Sequence, residues 1–200
     1  MNVALSYLLE KEEVFQRIVD KYGLPVVPYR PEGFQTLCKL ILEQQVSIES
    51  AKACFQKIEN LLKTVSPETI FKSSNEELRS CGLSRQKINY LYHLSESILE
   101  NRIHLETFSQ KTDKEVRDEL IKIKGIGHWT IDVYLMFSLQ SKDVIPLGDI
   151  AVINTIKELF DCHEKEEMER LTQKWMPYRS MATFLLWHHY LSKRNRKVIF

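Results

Sequence analysis

The sequence predicts an all-α fold. Apolar residues recur at three- and four-residue spacings along most of the chain, which is the periodicity of amphipathic helices. We find no convincing segment with the strict apolar–polar alternation of a half-buried strand. The few glycines and prolines lie mostly between the periodic segments, where they end helices. With 200 residues, 44% of them hydrophobic, the chain can bury a sizeable core, and we expect one domain over residues 1–200.

The charge balance restricts how this chain can bind a polyanion. Its 28 Lys and Arg residues stand against 27 Asp and Glu residues, which leaves a formal net charge of +1. A protein that holds nucleic acid by bulk charge has a clear basic surplus. Contacts with nucleic acid would therefore be local and made by backbone amides and a few basic side chains.

We expect an intracellular protein that is neither secreted nor inserted in a membrane. The N-terminal segment reaches charged residues too early for a secretory signal peptide, and no apolar run approaches the length of a membrane span. The cysteines lack the paired spacing of metal sites and iron–sulfur clusters. We therefore expect no cluster and buried free thiols at Cys38, Cys54, Cys81 and Cys162.

Start and stop signals place helices in the N-terminal half. A first helix is predicted from Ala4 to Tyr22, followed by a proline-rich extended connector over residues 24–33. The next helix begins near Phe34 and breaks at residues 43–46, and Ser47 caps the helix that follows. Two further helices are predicted, over residues 75–82 with Asn75 as the cap, and after Ser84.

The C-terminal half shows a second series of caps. Thr112 and Glu115 have capping-box spacing and open a helix that runs into residues 122–127. The next helix is predicted from His128 to Gln140. After a Pro-Leu-Gly loop, Asp149 is placed to cap a helix over residues 150–160. A last helix is predicted from Ser180 to Tyr190, followed by a basic tail over residues 193–197.

The segment LIKIKGIGHWT, residues 120–130, is the most informative stretch of the sequence. Two glycines flank one isoleucine between a helix end and a helix start. Glycine permits positive φ and close approach of another backbone, and amides at a helix N-terminus attract an anion. A plain tight turn would explain a lone Gly-x-Gly, but the full pattern of aliphatic residues before Gly125 and Gly127 matches a helix-hairpin-helix motif that binds DNA phosphate.

This hairpin and two other segments resemble the helix-hairpin-helix DNA glycosylases, and the 3-methyladenine DNA glycosylase II group most of all. The hairpin is followed by a Gly/Pro-rich loop and an aspartate, IPLGD. The C-terminal segment WMPYRSMATFLLWHHY is similar to that group's WxPWRS-type ending, and FQTLCKLILEQQVSIESA is similar to its first conserved helix pair. Together these segments cover most of the chain from Phe34 onward.

The resemblance implies a fold of two helical lobes with a cleft between them. One lobe would contain residues 34–140, including the hairpin at 120–130, and the other would combine residues 1–33 with 141–200. The larger bacterial members have an extra N-terminal β-rich domain, which we do not expect in a chain of this length.

The same resemblance implies a set of site residues. Asp149 matches the catalytic aspartate, and the amides of Gly125, Gly127 and Thr130 match donors to a DNA phosphate. Trp129 and Trp187 match aromatic walls of the base pocket, where another family aromatic maps to Val133, with Tyr134 adjacent. Further DNA contacts are expected from Lys122, Lys124, His128 and Gln44, and from Gln45 as the side chain that wedges into the DNA stack. The carbonyls of Ile121, Ile123 and Ile126 match positions that hold a structural Na⁺ or K⁺ ion in some relatives, and no other cofactor is expected.

These residues predict a monofunctional glycosylase of base excision repair. Breaking an N-glycosidic bond builds positive charge on the sugar, which an ionised Asp149 would stabilise. Bifunctional relatives have a lysine two residues after the second glycine of the hairpin, but this chain has Trp129 there. We expect a monomer that extrudes alkylated purines such as 3-methyladenine and 7-methylguanine from double-stranded DNA and leaves an abasic site.

Two other functions remain open from the sequence. The enzyme could act on uracil, hypoxanthine or a mispaired base, or the chain could be a DNA-binding module without catalysis. On local sequence alone Asp149 is explained as a helix N-cap, a role compatible with catalysis.

Overall fold

The computed structural model describes residues 3–196, which form twelve α-helices, one short 3-10 helix and no strand. This confirms the all-α prediction for the described part of the chain. The helices are α1 (Val3–Lys11), α2 (Glu13–Tyr22), α3 (Phe34–Glu43), α4 (Ile48–Leu62), α5 (Pro67–Lys72), α6 (Asn75–Ser80), α7 (Arg85–Leu99), the 3-10 helix (Leu105–Gln110), α8 (Asp113–Leu120), α9 (His128–Phe137), α10 (Ile150–Phe160), α11 (Lys165–Gln173) and α12 (Arg179–Ser192).

The chain divides into two compact units. The terminal unit contains the chain up to Tyr29 and again from Leu135 onward, and the central unit contains Arg30–Tyr134. The boundaries of the predicted lobes, at 33/34 and 140/141, differ from those of the compact units, at 29/30 and 134/135. The second boundary lies within α9.

Side-chain caps start helices α4 to α8 of the central unit. Ser47 and Ser84 accept from the amides of Ser50 and Lys87, and Thr112 and Glu115 form the predicted capping box at α8. The predicted cap of α6 is wrong by one residue, because Ser74 makes that capping box and Asn75 is the first helical residue. Helix α5, which begins at a Ser66 capping box, was not predicted.

The predicted helix from Ala4 to Tyr22 is wrong in one respect, because it is two helices. Glu12 adopts extended backbone angles (φ −138°, ψ 108°) between α1 and α2. Its carboxylate accepts a hydrogen bond from the indole of Trp175, 3.3 Å away. This contact spans 163 residues of sequence, so the helical periodicity around Glu12 gave no sign of it.

Apolar side chains on the predicted inner faces form the core. Leu37, Leu40 and Ile41 of α3 are fully buried in the central unit, as expected from their spacing. In the terminal unit the rings of Phe15, Phe160 and Trp175 pack against one another with centroids 5.1–5.8 Å apart.

Three of the four cysteine thiols are buried and Cys54 is half-buried; all four are free. Among residues 3–196 no helix has the length and apolar character needed to cross a membrane, and no group of three or more His, Cys, Asp or Glu side chains is placed to hold a metal ion. Of the predicted basic tail, residues 193–196 are exposed and Lys197 lies outside the described residues.

Candidate functional site

The hairpin between α8 and α9 depends on a glycine at position 125. Gly125 has φ +92°, a conformation that strains any residue with a Cβ. A Cβ at this position would lie 2.1 Å from Cγ of Tyr90, so the tyrosine ring on α7 packs directly against the glycine backbone. Both the backbone conformation and the contact with Tyr90 therefore require glycine here.

Gly127 differs from Gly125 in that the protein itself places no demand on it. Its φ lies outside the left-handed region, and a Cβ built there meets no atom within 4 Å. The residue is exposed at the start of α9. Packing within the chain therefore does not require glycine here, and the exposed backbone is open to close approach.

The N-terminus of α9 provides the local positive potential that the hairpin pattern predicts. The first helical hydrogen bond of this turn runs from the amide of Ile131 to the carbonyl of Gly127 at 3.1 Å, so the amides of residues 128–130 precede the helical ladder. Lys122, Lys124 and His128 are close to this N-terminus in the sequence, and their side chains are exposed. The hairpin therefore combines backbone donors with basic side chains.

The predicted cation ligands are backbone carbonyls of the hairpin. Neutral carbonyl oxygens are ligands that bind Na⁺ and K⁺ in proteins. The Ile123 carbonyl also accepts from the amide of Ile126 at 3.0 Å. Because a carbonyl oxygen has two lone pairs, this bond is compatible with coordination, and the chemistry of Ile121, Ile123 and Ile126 fits a monovalent cation.

The two glutamines between α3 and α4 have different environments. Gln45 is exposed and has φ +58°, a left-handed conformation that costs a non-glycine residue roughly 1–2 kcal/mol. Gln44 is half-buried, and its amide nitrogen donates to the Gly125 carbonyl (2.8 Å) and the Thr130 hydroxyl (3.0 Å). Gln44, predicted as a DNA contact, is therefore engaged within the central unit.

Asp149 caps α10, as predicted, and hydrogen bonds fix its Oδ1. Its Oδ1 accepts from the amides of Ala151 (2.9 Å) and Val152 (3.0 Å). The indole N–H of Trp187, on α12, donates to the same oxygen at 3.1 Å. The carboxylate thus lies at the N-terminus of a helix, where an anion is stabilised, in a half-buried position.

The loop that precedes Asp149 is bound to the start of α12 by an ion pair and hydrogen bonds. Arg179 forms a bidentate ion pair with Asp143 at 2.7 and 2.8 Å. The Ser180 hydroxyl donates to the Ser141 carbonyl (2.6 Å) and accepts from the amide of Val144 (3.0 Å). Residues 141–144 are therefore fixed by Arg179 and Ser180, which lie in the C-terminal segment that resembles the family ending.

The two tryptophans expected in the base pocket differ in burial. Trp187 is 8% exposed, with ring centroids of Phe137 and Phe184 5.9 and 6.2 Å away. It is therefore both a core residue of the terminal unit and a donor to Asp149. Trp129, the second residue of α9, is half-buried in the central unit.

The structure does not support Tyr134 as a pocket residue. The side chain is fully buried, its hydroxyl accepts from the amide of Gly33 at 3.0 Å, and its ring packs edge-on against Phe108. Burial raises the pKa of Tyr134 to about 12, so it is a neutral core phenol. Val133 is likewise buried, at 3% exposure.

Sequence reasoning missed the residues that position the site from a distance. Tyr90 lies 35 positions before Gly125, and Asp143 lies 36 positions before Arg179. Neither pair has a local signal, because each contact joins different helices or loops through the fold. A bidentate Arg–carboxylate pair or a ring beneath a glycine is visible only in three dimensions.

The family comparison agrees with this geometry. A model of the HhH-GPD superfamily of base excision DNA repair proteins matches residues 38–178. The matched segment contains Gln44, the hairpin and Asp149, and the match covers well over half of the chain. The chain therefore belongs to the HhH-GPD superfamily, which confirms the resemblance noted from the sequence.

Three known proteins are similar over nearly the whole chain. The alkylbase DNA glycosidase-like protein mag2 of Schizosaccharomyces pombe is 29% identical over 205 residues, which cover 97% of this chain and 95% of that protein. The DNA-3-methyladenine glycosidase structure from Bacillus halodurans has a TM-score of 0.84 at 29% identity and covers 97% of this chain and 92% of that one. The S. pombe 3-methyladenine DNA glycosylase Mag1, solved in complex with abasic DNA, has a TM-score of 0.78 at 27% identity and covers 92% and 94% of the two chains.

The two hairpin glycines should respond differently to the same substitution. We expect Gly125→Ala to lower the free energy of unfolding by about 2 kcal/mol or more, because it combines backbone strain with a clash against Tyr90. Gly127→Ala should lower it by less than about 1 kcal/mol, since its Cβ has open space. Urea unfolding of both variants measures the difference.

A double substitution isolates the clash. In a Tyr90→Ala background, Gly125→Ala should cost less than in the wild-type background, because only the backbone strain remains. Equal costs in the two backgrounds would contradict the assigned contact.

Proposed function

We propose that this protein is a monofunctional DNA glycosylase that hydrolyses the N-glycosidic bond of alkylated purines in double-stranded DNA. The observation that carries the proposal is the fixed carboxylate of Asp149, held at the N-terminus of α10 by two amides and the Trp187 indole. The relatives named as alkylbase and 3-methyladenine glycosidases support the substrate class. It acts as a monomer on DNA inside the cell.

DNA binding begins at the hairpin. A phosphate oxygen accepts hydrogen bonds from the amides at the start of α9, and exposed Lys122 and Lys124 add local charge. A monovalent cation held by the carbonyls of Ile121, Ile123 and Ile126 would supply positive charge to the same phosphate. This local arrangement is consistent with a chain whose net charge is only +1.

Base extrusion then opens the stack, and Gln45 fills the space that the base leaves. The damaged nucleotide must leave the duplex before its glycosidic bond is accessible. Gln45 is exposed in the turn between α3 and α4 and has a left-handed backbone conformation. Backbone strain at a non-glycine residue is often retained for function, and here it serves to present the wedge.

Asp149 performs the chemistry. As the bond to the base lengthens, positive charge develops on the sugar, and the ionised carboxylate stabilises it. The carboxylate also orients and deprotonates the water that attacks the sugar. Because the Trp187 N–H and two amides fix Oδ1, the charge is pre-positioned and needs little reorganisation during the reaction.

The leaving group explains why no strong general acid is needed. A purine alkylated at N3 or N7 is cationic or electron-poor, and an indole face attracts a cation by ~0.5–2 kcal/mol. Trp187, whose indole donates to Asp149, is the proposed aromatic contact for such a base. Since the position two residues after Gly127 is Trp129 and not lysine, no Schiff base forms with the sugar and the DNA strand stays intact.

Asp149→Asn tests the catalytic assignment. Asparagine is a good helix N-cap, so the fold should be retained. Release of methylated purines from alkylated duplex DNA should fall at least ~100-fold, because the negative charge at the sugar is lost, and affinity for the duplex should be unchanged or higher. Release at the wild-type rate would exclude Asp149 as the catalytic group; absence of release by the wild type would point to another lesion or to a non-catalytic module.

Trp187→Phe tests the hydrogen bond to the carboxylate. The variant retains an aromatic ring but removes the indole donor, and we expect the single-turnover rate to fall roughly tenfold or more. In an Asp149→Asn background the same change should have little further effect on rate, because the two residues act together. Multiplicative effects in the double variant would show that Trp187 acts independently of Asp149.

Variants of Gln45 separate strain from function. Gln45→Gly should be more stable to urea than Gln45→Ala by roughly 1 kcal/mol, because alanine must adopt the left-handed conformation. Both variants lack the wedge, so both should release methylated purines more slowly from duplex DNA than the wild type. If Gln45→Gly keeps the wild-type rate, the side chain has no role in base extrusion.

A further inference from the structure

Gln44 connects two segments that are far apart in the sequence. Its amide nitrogen donates to the Gly125 carbonyl at 2.8 Å and to the Thr130 hydroxyl at 3.0 Å, across 81 and 86 residues. Gly125 lies in the hairpin turn, and Thr130 lies in the first turn of α9 with 2% exposure. One side chain therefore joins the α3–α4 turn to both sides of the hairpin.

The chemistry of the acceptors sets the orientation of the Gln44 amide. A backbone carbonyl only accepts hydrogen bonds, so the group facing the Gly125 carbonyl must be the NH₂ of Gln44. Its two hydrogens match the two acceptors, Gly125 and Thr130. An apolar side chain of the same length would remove both bonds while filling the same space.

A second chain of contacts returns from the hairpin to α3. The ring of Tyr90, on α7, packs against Gly125. Lys87, one turn earlier on α7, donates to the carbonyl of Leu42 near the end of α3 at 2.6 Å. The end of α3, Gln44, the hairpin and α7 thus form a closed ring of contacts within the central unit.

Gln45 is the next residue after this connection. It is exposed at φ +58°, whereas Gln44 is half-buried. Because adjacent residues share a peptide plane, the position of Gln44 determines where the backbone of Gln45 begins. Anything that fixes Gln44 on the hairpin also fixes Gln45 relative to the hairpin amides.

We propose that Gln44 is a positioning residue that sets the distance between the phosphate-binding hairpin and the wedge Gln45. It contacts no DNA itself. This inference rests on the proposed function, because it assigns a cause to the coordinated action of two DNA-contacting segments. The hairpin binds the DNA backbone and Gln45 enters the base stack. The hydrogen bonds of Gln44 keep the hairpin and Gln45 at a constant separation.

Gln44→Met provides the test, with Gln35→Met as the matched control. Methionine is unbranched and similar in length, but it donates no hydrogen bond. Gln35, on the adjoining helix α3, also donates from its amide to a backbone carbonyl, that of Val65 at 3.2 Å, away from the hairpin. Both variants lose a side chain–backbone bond, and Gln44→Met also loses the bond to the Thr130 hydroxyl. An effect that comes only from losing such a bond in this unit should therefore appear in both.

The readouts are affinity and local exchange. We measure the Kd for a fluorescent duplex with a tetrahydrofuran abasic-site analogue at fixed salt, and hydrogen–deuterium exchange of the peptides spanning residues 121–130. Gln44→Met should weaken binding on the order of tenfold and speed exchange in the hairpin. Gln35→Met should stay within about twofold of wild type in Kd, with unchanged hairpin exchange.

A double variant tests the connection to Gln45. Gln45→Ala should weaken duplex binding in the wild-type background and have a smaller effect in the Gln44→Met background, since the wedge is already displaced. Full multiplicativity, or a Gln44→Met variant that binds and exchanges as wild type does, overturns the inference.

Failure of the proposed function gives a different pattern. If the wild type binds the abasic duplex but releases no methylated purine, the catalytic proposal fails while the role of Gln44 in binding can still be measured. If the wild type releases methylated purines and the Gln44→Met variant binds normally, only the positioning role is lost.

Discussion

The geometry of the terminal unit centres on one carboxylate, that of Asp149, which hydrogen bonds fix in place. Asp149 Oδ1 accepts from the amides of Ala151 and Val152 and from the Trp187 indole. The first two bonds are those of an ordinary helix cap and follow from the start of α10. The third requires α12 to pack against α10, so the geometry of the carboxylate is a consequence of core packing in the terminal unit.

The same packing explains why two distant sequence segments belong together. The ion pair between Arg179 and Asp143 and the hydrogen bonds of Ser180 fasten the loop before Asp149 to the first turn of α12. Trp187 lies two turns further along that helix. Helix α12 therefore fixes both the loop over residues 141–144 and the Asp149 carboxylate that follows it.

In the proposed complex with DNA, the central unit binds through backbone geometry and does not need a strongly basic surface. Gly125 is required by its φ and by Tyr90, whereas Gly127 leaves space that no side chain fills. The hairpin can thus approach a phosphate closely, and the chain needs no large positive charge. Gln44 is also uncharged, and its two hydrogen bonds join the hairpin to the turn between α3 and α4.

The sequence alone determined the helical class, several of the helix caps and the family, because these rest on periodicity, local side chain–backbone bonds and short motifs. Asp149 at its cap and the glycines of the hairpin were identified in this way. The tertiary structure decided what crosses between elements: the break at Glu12, the burial of Tyr134, the engagement of Gln44 and the contact of Tyr90 with Gly125. Each of these joins residues that are tens of positions apart, and no local pattern can encode a contact whose energy exists only once both segments have folded.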